Sequence, residues 1–125
     1  MNIEELTPME EDQDEVFSYI VTEVIETLNL DYDEEELDYE TLQFLVFEFM
    51  SELNEGTKAE IIIAKMRNQF LLSGIEPEDG ELEKLMENIQ SQCAQHLLAM
   101  RIAQQSFEDG ETSETVLPKV MQIID

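Results

Sequence analysis

Leu42-Gln43-Phe44-Leu45-Val46-Phe47-Glu48-Phe49-Met50-Ser51-Glu52-Leu53 is the stretch on which the fold class turns. Its aromatic and β-branched content suits a strand, but strands run to roughly four to eight residues and this apolar run continues to Leu53. Read as a helix it is apolar on almost every side, which predicts a central element covered from several directions and ending before Gly56. The segments on either side carry helical signals. The expected fold class is therefore all-α: a small bundle of about four helices, with a long helix in the second half, forming one acidic domain over residues 1–125.

Upstream, Thr7-Pro8-Met9-Glu10 has the form of a capping box with proline at the first helical position. Phe17, Ile20, Val21, Val24 and Leu28 then recur at helical spacing, so a first helix is expected from Pro8 to Leu28, with Asn29 ending it. Seven of the ten residues from Asp31 to Glu40 are acidic. In a helix, Glu34 with Asp38 and Glu36 with Glu40 would each cost about 0.2–0.5 kcal/mol, so a loop leading to a helix near Asp38 is favoured.

Downstream, Thr57-Lys58-Ala59-Glu60 repeats the capping-box pattern and opens a third helix with a stripe of Ile62, Ile63, Met66 and Phe70. Ser73-Gly74 closes it, Gly74 suiting a left-handed position and Ile75 the apolar contact beyond. After a turn over 77–80, a fourth helix is expected from Glu81 to Phe107, about 40 Å long. Leu82, Met86, Ile89, Cys93, His96, Met100, Ala103 and Phe107 alternate by four and three along it, as a coiled-coil seam does. That pattern makes Leu85, Ile89, Cys93, Met100 and Phe107 candidates for self-association into a homodimer, with packing inside one chain the alternative. Residues 1–6 and 108–125 are expected to be flexible or to form short terminal elements, with Pro118 breaking the last of these at its start.

Charge supplies the functional argument. Residues 1–57 contain nineteen Asp and Glu and no Lys or Arg, whereas the remaining 68 contain twelve acids and six bases; the charge of −25 divides as −19 and −6. A halophile's solvating surface would spread its acids over every exposed face, but Arg101 is the only charged side chain from residue 88 to 107, a stretch rich in Gln. Direct nucleic-acid or anionic-lipid binding is disfavoured, because phosphate recognition needs clustered Lys and Arg. The lone cysteine fits a reducing compartment, and no run of about 18 apolar residues is present to span a bilayer, so a cytoplasmic protein is expected.

Duplex DNA carries a negative charge every ~1.7 Å of axis, and seven carboxylates in ten residues approach that density. Glu11, Glu15, Glu26, Asp31, Asp33, Glu34, Glu35, Glu36, Asp38 and Glu40 are the candidate partner-binding residues. The partner they suit is a basic protein, above all a nucleic-acid-binding one, inhibited or regulated by mimicry of its ligand's charge. Small acidic inhibitors of this kind are similar to products of phages or mobile elements. The competing reading is a helical adaptor, assembly or chaperone protein, dimeric through the fourth helix, whose acids keep it soluble.

Enzymatic readings fare worse. An EF-hand loop from Asp31 would need Gly at its sixth position and Glu at its twelfth, where Glu36 and Leu42 stand. Glu23-Val24-Ile25-Glu26 followed by Glu35-Glu36-Leu37-Asp38 resembles the paired acidic motifs of the all-α nucleotide pyrophosphatases, which implies a Mg²⁺-dependent activity on nucleotides. The chain departs from that family in the closeness of the two motifs, in Thr22 where a preceding acid is usual, and in lacking basic residues to hold a triphosphate. Cys93 and His96 share a helical face but have no further Cys or His to complete a zinc site. No catalytic residue, resident metal or cofactor is therefore expected.

Overall fold

A computed structural model describes residues 3–30 and 38–124, with side chains from Gln13 onward in those ranges. Among the described residues there are six helices and no strand: α1 (Ile3–Leu28), α2 (Tyr39–Asn54), α3 (Ala59–Leu72), α4 (Glu81–Gln92), α5 (Ala94–Glu108) and α6 (Ser113–Ile124). The all-α expectation holds, and the count of four does not.

Two differences account for the change. The expected fourth helix is two, because Cys93 leaves helical geometry (φ −122°, ψ 32°) between α4 and α5. An unbroken helix of that length would overshoot a small core, whereas segments of about 18 and 22 Å each keep their apolar face on it. No Gly or Pro marks the break; packing imposes it. The C-terminal element is also a complete helix. Pro118 lies inside α6, whose Val116 and Val120 are fully buried and which packs on both α5 and α1.

The starts of α2, capped by Asp38, and of α4, at Glu81, are as expected, whereas those of α1 and α3 differ. The backbone of α1 is helical from Ile3, so Thr7 does not begin it, and Pro8, whose fixed φ is compatible with a helix, is carried within the first turns. At α3 the anticipated capping box is not made. Lys58 holds the cap position without a side-chain hydrogen bond, and the Thr57 hydroxyl instead donates to Glu52 Oε2 at 2.8 Å.

The ends follow sequence chemistry closely. Gly74 adopts φ +87°, its N–H reaches the Leu71 carbonyl at 3.0 Å, and the Ile75 N–H reaches the Phe70 carbonyl at 2.9 Å. These paired bonds satisfy carbonyls that the helix leaves open. Asn29, at φ 51°, closes α1 in the same way, through Asn29 N–H to Glu26 O and Leu30 N–H to Ile25 O, both 3.1 Å.

One core joins the helices. Val16, Ile20 and Val24 of α1, Leu45, Phe49 and Met50 of α2, Ile62 and Met66 of α3, Leu82 and Ile89 of α4, and Met100 and Ala103 of α5 are all essentially inaccessible. Asn54 fastens α2 to α5 by donating to the Leu97 carbonyl at 3.0 Å. The expected cover over α2 is incomplete. Its buried face is Leu42, Leu45, Val46, Phe49 and Met50, while Phe44, on the opposite side, is 51% exposed.

The coiled-coil seam turns inward. Ile89, Cys93 and Met100 are fully buried, and Leu85 and Phe107 are half-buried against the core, so this set does not form a free face for a second chain. Its alternation by four and three records contact with the helices of the same chain.

Candidate partner-binding surface

The positions of the acidic side chains follow from which face of each helix is buried. On α1, Val16, Ile20 and Val24 point into the core at i, i+4 and i+8, which leaves Asp14, Glu15 and Glu26 exposed. On α2, Asp38 and Glu40 stand exposed at the N-terminus. Asp38 is the N-cap, accepting the Thr41 N–H at 2.8 Å, and that bond holds its carboxyl below the ordinary 3.8. Glu40, in the first turn, faces the positive end of the helix dipole. Asp31, Asp33, Glu34, Glu35 and Glu36 lie outside the described residues, as does the side chain of Glu11.

Neutralisation is uneven. The ion pairs among the described residues are Lys65–Glu52, Arg67–Glu83 at 3.6 Å and Lys119–Glu111 at 2.6 Å. The Lys65 bond is the main influence that lowers the Glu52 carboxyl, and the Lys119 bond does the same for Glu111. None of these pairs reaches α1 or the first turns of α2. Asp14, Glu15, Glu26, Asp38 and Glu40 therefore present exposed carboxylates with no counter-charge among the described residues.

Between the two acidic helices runs a groove of about 500 Å³. It is lined by Asp14, Phe17, Ser18 and Val21 from α1 and by Glu40, Gln43, Phe44 and Phe47 from α2. Each helix thus contributes positions i, i+3, i+4 and i+7, one face of a helix over two turns. The helices are antiparallel here. The Gln43 side-chain amide donates to Ser18 Oγ (3.2 Å) and Thr22 Oγ1 (3.1 Å), while the Tyr39 hydroxyl lies 3.5 Å from Thr22 Oγ1.

At one end of the groove, Phe17 meets Phe47 edge-to-face with centroids 5.3 Å apart, and Phe107 of α5 at 5.6 Å. A second hollow of about 480 Å³ opens beyond these rings, bordered by Glu55 and Glu108. Of these aromatics the sequence pointed only to Phe107, as a self-association candidate, and not to Phe17, Phe44 or Phe47 as a surface feature. The signal was available, since the spacing of Leu42, Leu45, Val46, Phe49 and Met50 places Phe44 away from the buried face.

Compared with protein-family models, curated proteins and solved structures, the chain matches none. Its surface must be interpreted from its own chemistry.

Among the described residues no group of three or more His, Cys, Asp or Glu is placed to hold a metal ion. Cys93 is buried, which pushes its thiol up and keeps it protonated. His96 is also buried, and both its ring nitrogens lack a hydrogen-bond partner. Desolvation holds its pKa below 6.5 against the opposing pull of Glu23. Glu23 and Glu26 lie along α1, while Glu35 and Glu36 of the second acidic motif fall outside the described residues. No described helix is long and apolar enough to cross a membrane.

Proposed function

We propose that this protein binds a basic protein through the acidic surface of α1, the 31–40 segment and the start of α2. The best-suited partner is a nucleic-acid-binding protein, whose Lys and Arg residues would meet carboxylates in place of phosphates. Occupying that site inhibits or regulates the partner by electrostatic complementarity.

One observation carries this reading: the exposed carboxylates of α1 and of the α2 N-terminus have no Lys or Arg among them, and the ion pairs among the described residues all draw their cation from α3 or α6. An internal cation would neutralise part of the surface and repel a cationic partner. The surface is also held in place, because its helices anchor Val16, Ile20, Leu45 and Phe49 in the core. The adaptor reading, as a dimer through the fourth helix, has less support because Ile89, Cys93 and Met100 are interior.

The test is capture of binding proteins on the immobilised chain, followed by challenge with duplex DNA and, separately, with rising salt. Mimicry predicts a basic nucleic-acid-binding partner released by both treatments. A partner that is retained through both contradicts it.

A further inference from the structure

Among the exposed features of this molecule, the groove between α1 and α2 combines shape, apolar lining and charge in one place. The exposed Ile61, Leu71 and Leu72 of α3 form another apolar surface, but no arrangement of charge there selects an occupant. The groove has one. Asp14 and Glu40 hold the same first position in their respective i, i+3, i+4, i+7 sets, and the helices run antiparallel, so the two carboxylates mark opposite ends of the groove. Phe17, Phe44 and Phe47 lie between them, with Val21 at the floor.

With Gln43 bonded to both Ser18 and Thr22, those ends lie roughly seven to nine residues of helical rise apart, about 10–14 Å. A helix laid between α1 and α2 would meet a carboxylate, two turns of apolar surface, and a second carboxylate. Helix-in-groove recognition reads an apolar face in this way, through anchors at i, i+3, i+4 and i+7.

We propose that the α1–α2 groove is the docking site for an amphipathic helix of the basic partner, with bulky apolar side chains facing Phe44 and Phe47 and a Lys or Arg at each end, about seven residues apart. This inference rests on the charge-based reading above and deepens it: charge brings the partner to the surface, and the groove selects which helix stays. A second copy of this chain is the poorer occupant, because its charge of −25 opposes its approach. The same repulsion disfavours the chain's own 31–37 segment, five of whose seven residues are acidic.

The probe is a synthetic helical peptide of Ala, Leu, Phe and Lys with two Lys one heptad apart flanking a Leu/Phe face. It is compared by fluorescence anisotropy with a peptide of scrambled order and with a charge-matched peptide whose Leu and Phe are replaced by Gln. The amphipathic peptide should bind at least about tenfold tighter than either control, the size of effect that one well-packed apolar anchor supplies. Phe44→Ser should erase that advantage while leaving helix content and the affinity of the Gln peptide unchanged, since Phe44 is already half exposed. Glu40→Lys should weaken the amphipathic peptide and the Gln peptide alike.

If the three peptides bind equally, or if the amphipathic advantage survives Phe44→Ser, the groove inference is overturned while charge-based binding stands. If none of them binds, both readings fall. Should Phe44→Ser convert a dimer of the free protein into a monomer by sedimentation, the occupant is a second copy and the proposal is wrong.

Discussion

The first two helices and the last four share a core but differ in their balance of charge. From Lys58 onward, acids are interspersed with cations, and Glu83 and Glu111 find partners within that half. Before Lys58 the half-buried Glu52 has a partner, Lys65, supplied by α3, and Asp14, Glu15, Glu26 and Glu40 form no ion pair among the described residues. Exposed ion pairs contribute little to stability, so the contrast between the halves concerns recognition more than folding. A surface that leaves its carboxylates uncompensated accepts self-repulsion, and the property it gains is attraction for a cationic partner.

The shared core can be tested first, with the largest effect. Phe49 is fully buried in α2, and Phe49→Ala should cost about 3–5 kcal/mol, with acidic and later helices lost in one denaturant transition by circular dichroism. Two separate transitions would mean that the halves are separate stability units. On the same helix, Phe44→Ser should cost far less, about 1 kcal/mol, because only half of that ring is buried.

Charge reversal sharpens the contrast directly. Replacing Asp14, Glu15, Glu26 and Glu40 by Lys should weaken binding of a Lys-rich helical peptide by about 100-fold, because like charges now face each other. The same number of reversals at Glu60, Glu76, Glu87 and Glu114, all exposed in the later half, should have a much smaller effect.

Smaller effects probe the joints. Gly74→Ala meets no neighbouring atom but places a side chain at φ +87°, and should cost roughly 1–2 kcal/mol in thermal or urea unfolding. His96, set in α5 with Glu23 of α1 acting on it, reports on contact between the halves through pH. Its folded pKa lies below 6.5, so the unfolded chain binds this proton first. The contribution is complete above pH 6.5 and is lost as pH falls towards the lowered folded value. His96→Leu should flatten that part of the stability profile and, by removing an unsatisfied buried group, raise stability by about 1 kcal/mol. The lowered carboxyls of Asp38, Glu52 and Glu111 act further down, their contributions being lost only below their ordinary 3.8–4.5.

Helix class and helix ends were legible in the sequence because local chemistry decides them. Asn29 and Gly74 could take left-handed geometry, and the stripes of Ile20, Val24, Ile62 and Met66 had no other use than burial. Helix starts were partly legible: α2, capped by Asp38, and α4, from Glu81, begin as expected, whereas the cap of α3 lies one residue on, at Lys58, and the Thr57 hydroxyl donates to Glu52. The break at Cys93 was hidden, because it answers to the size of the core and no Gly or Pro accompanies it. The candidate surface divides similarly. Charge along the chain identified its carboxylates, but the groove depends on how α1 and α2 pair, and single-helix patterns do not contain that pairing. The burial of His96 was hidden for the same reason; only the assembled helices enclose it.

The central claim is that recognition belongs to the acidic helices, and the salt dependence of binding tests it most directly. Affinity for the Lys-rich helical peptide should be measured across a salt series for the unaltered chain and for the two charge-reversed variants. The account predicts a steep loss of affinity with salt for the unaltered chain, a slope almost as steep after reversal of Glu60, Glu76, Glu87 and Glu114, and a collapsed slope after reversal of Asp14, Glu15, Glu26 and Glu40. Equal slopes for the two variants would contradict it.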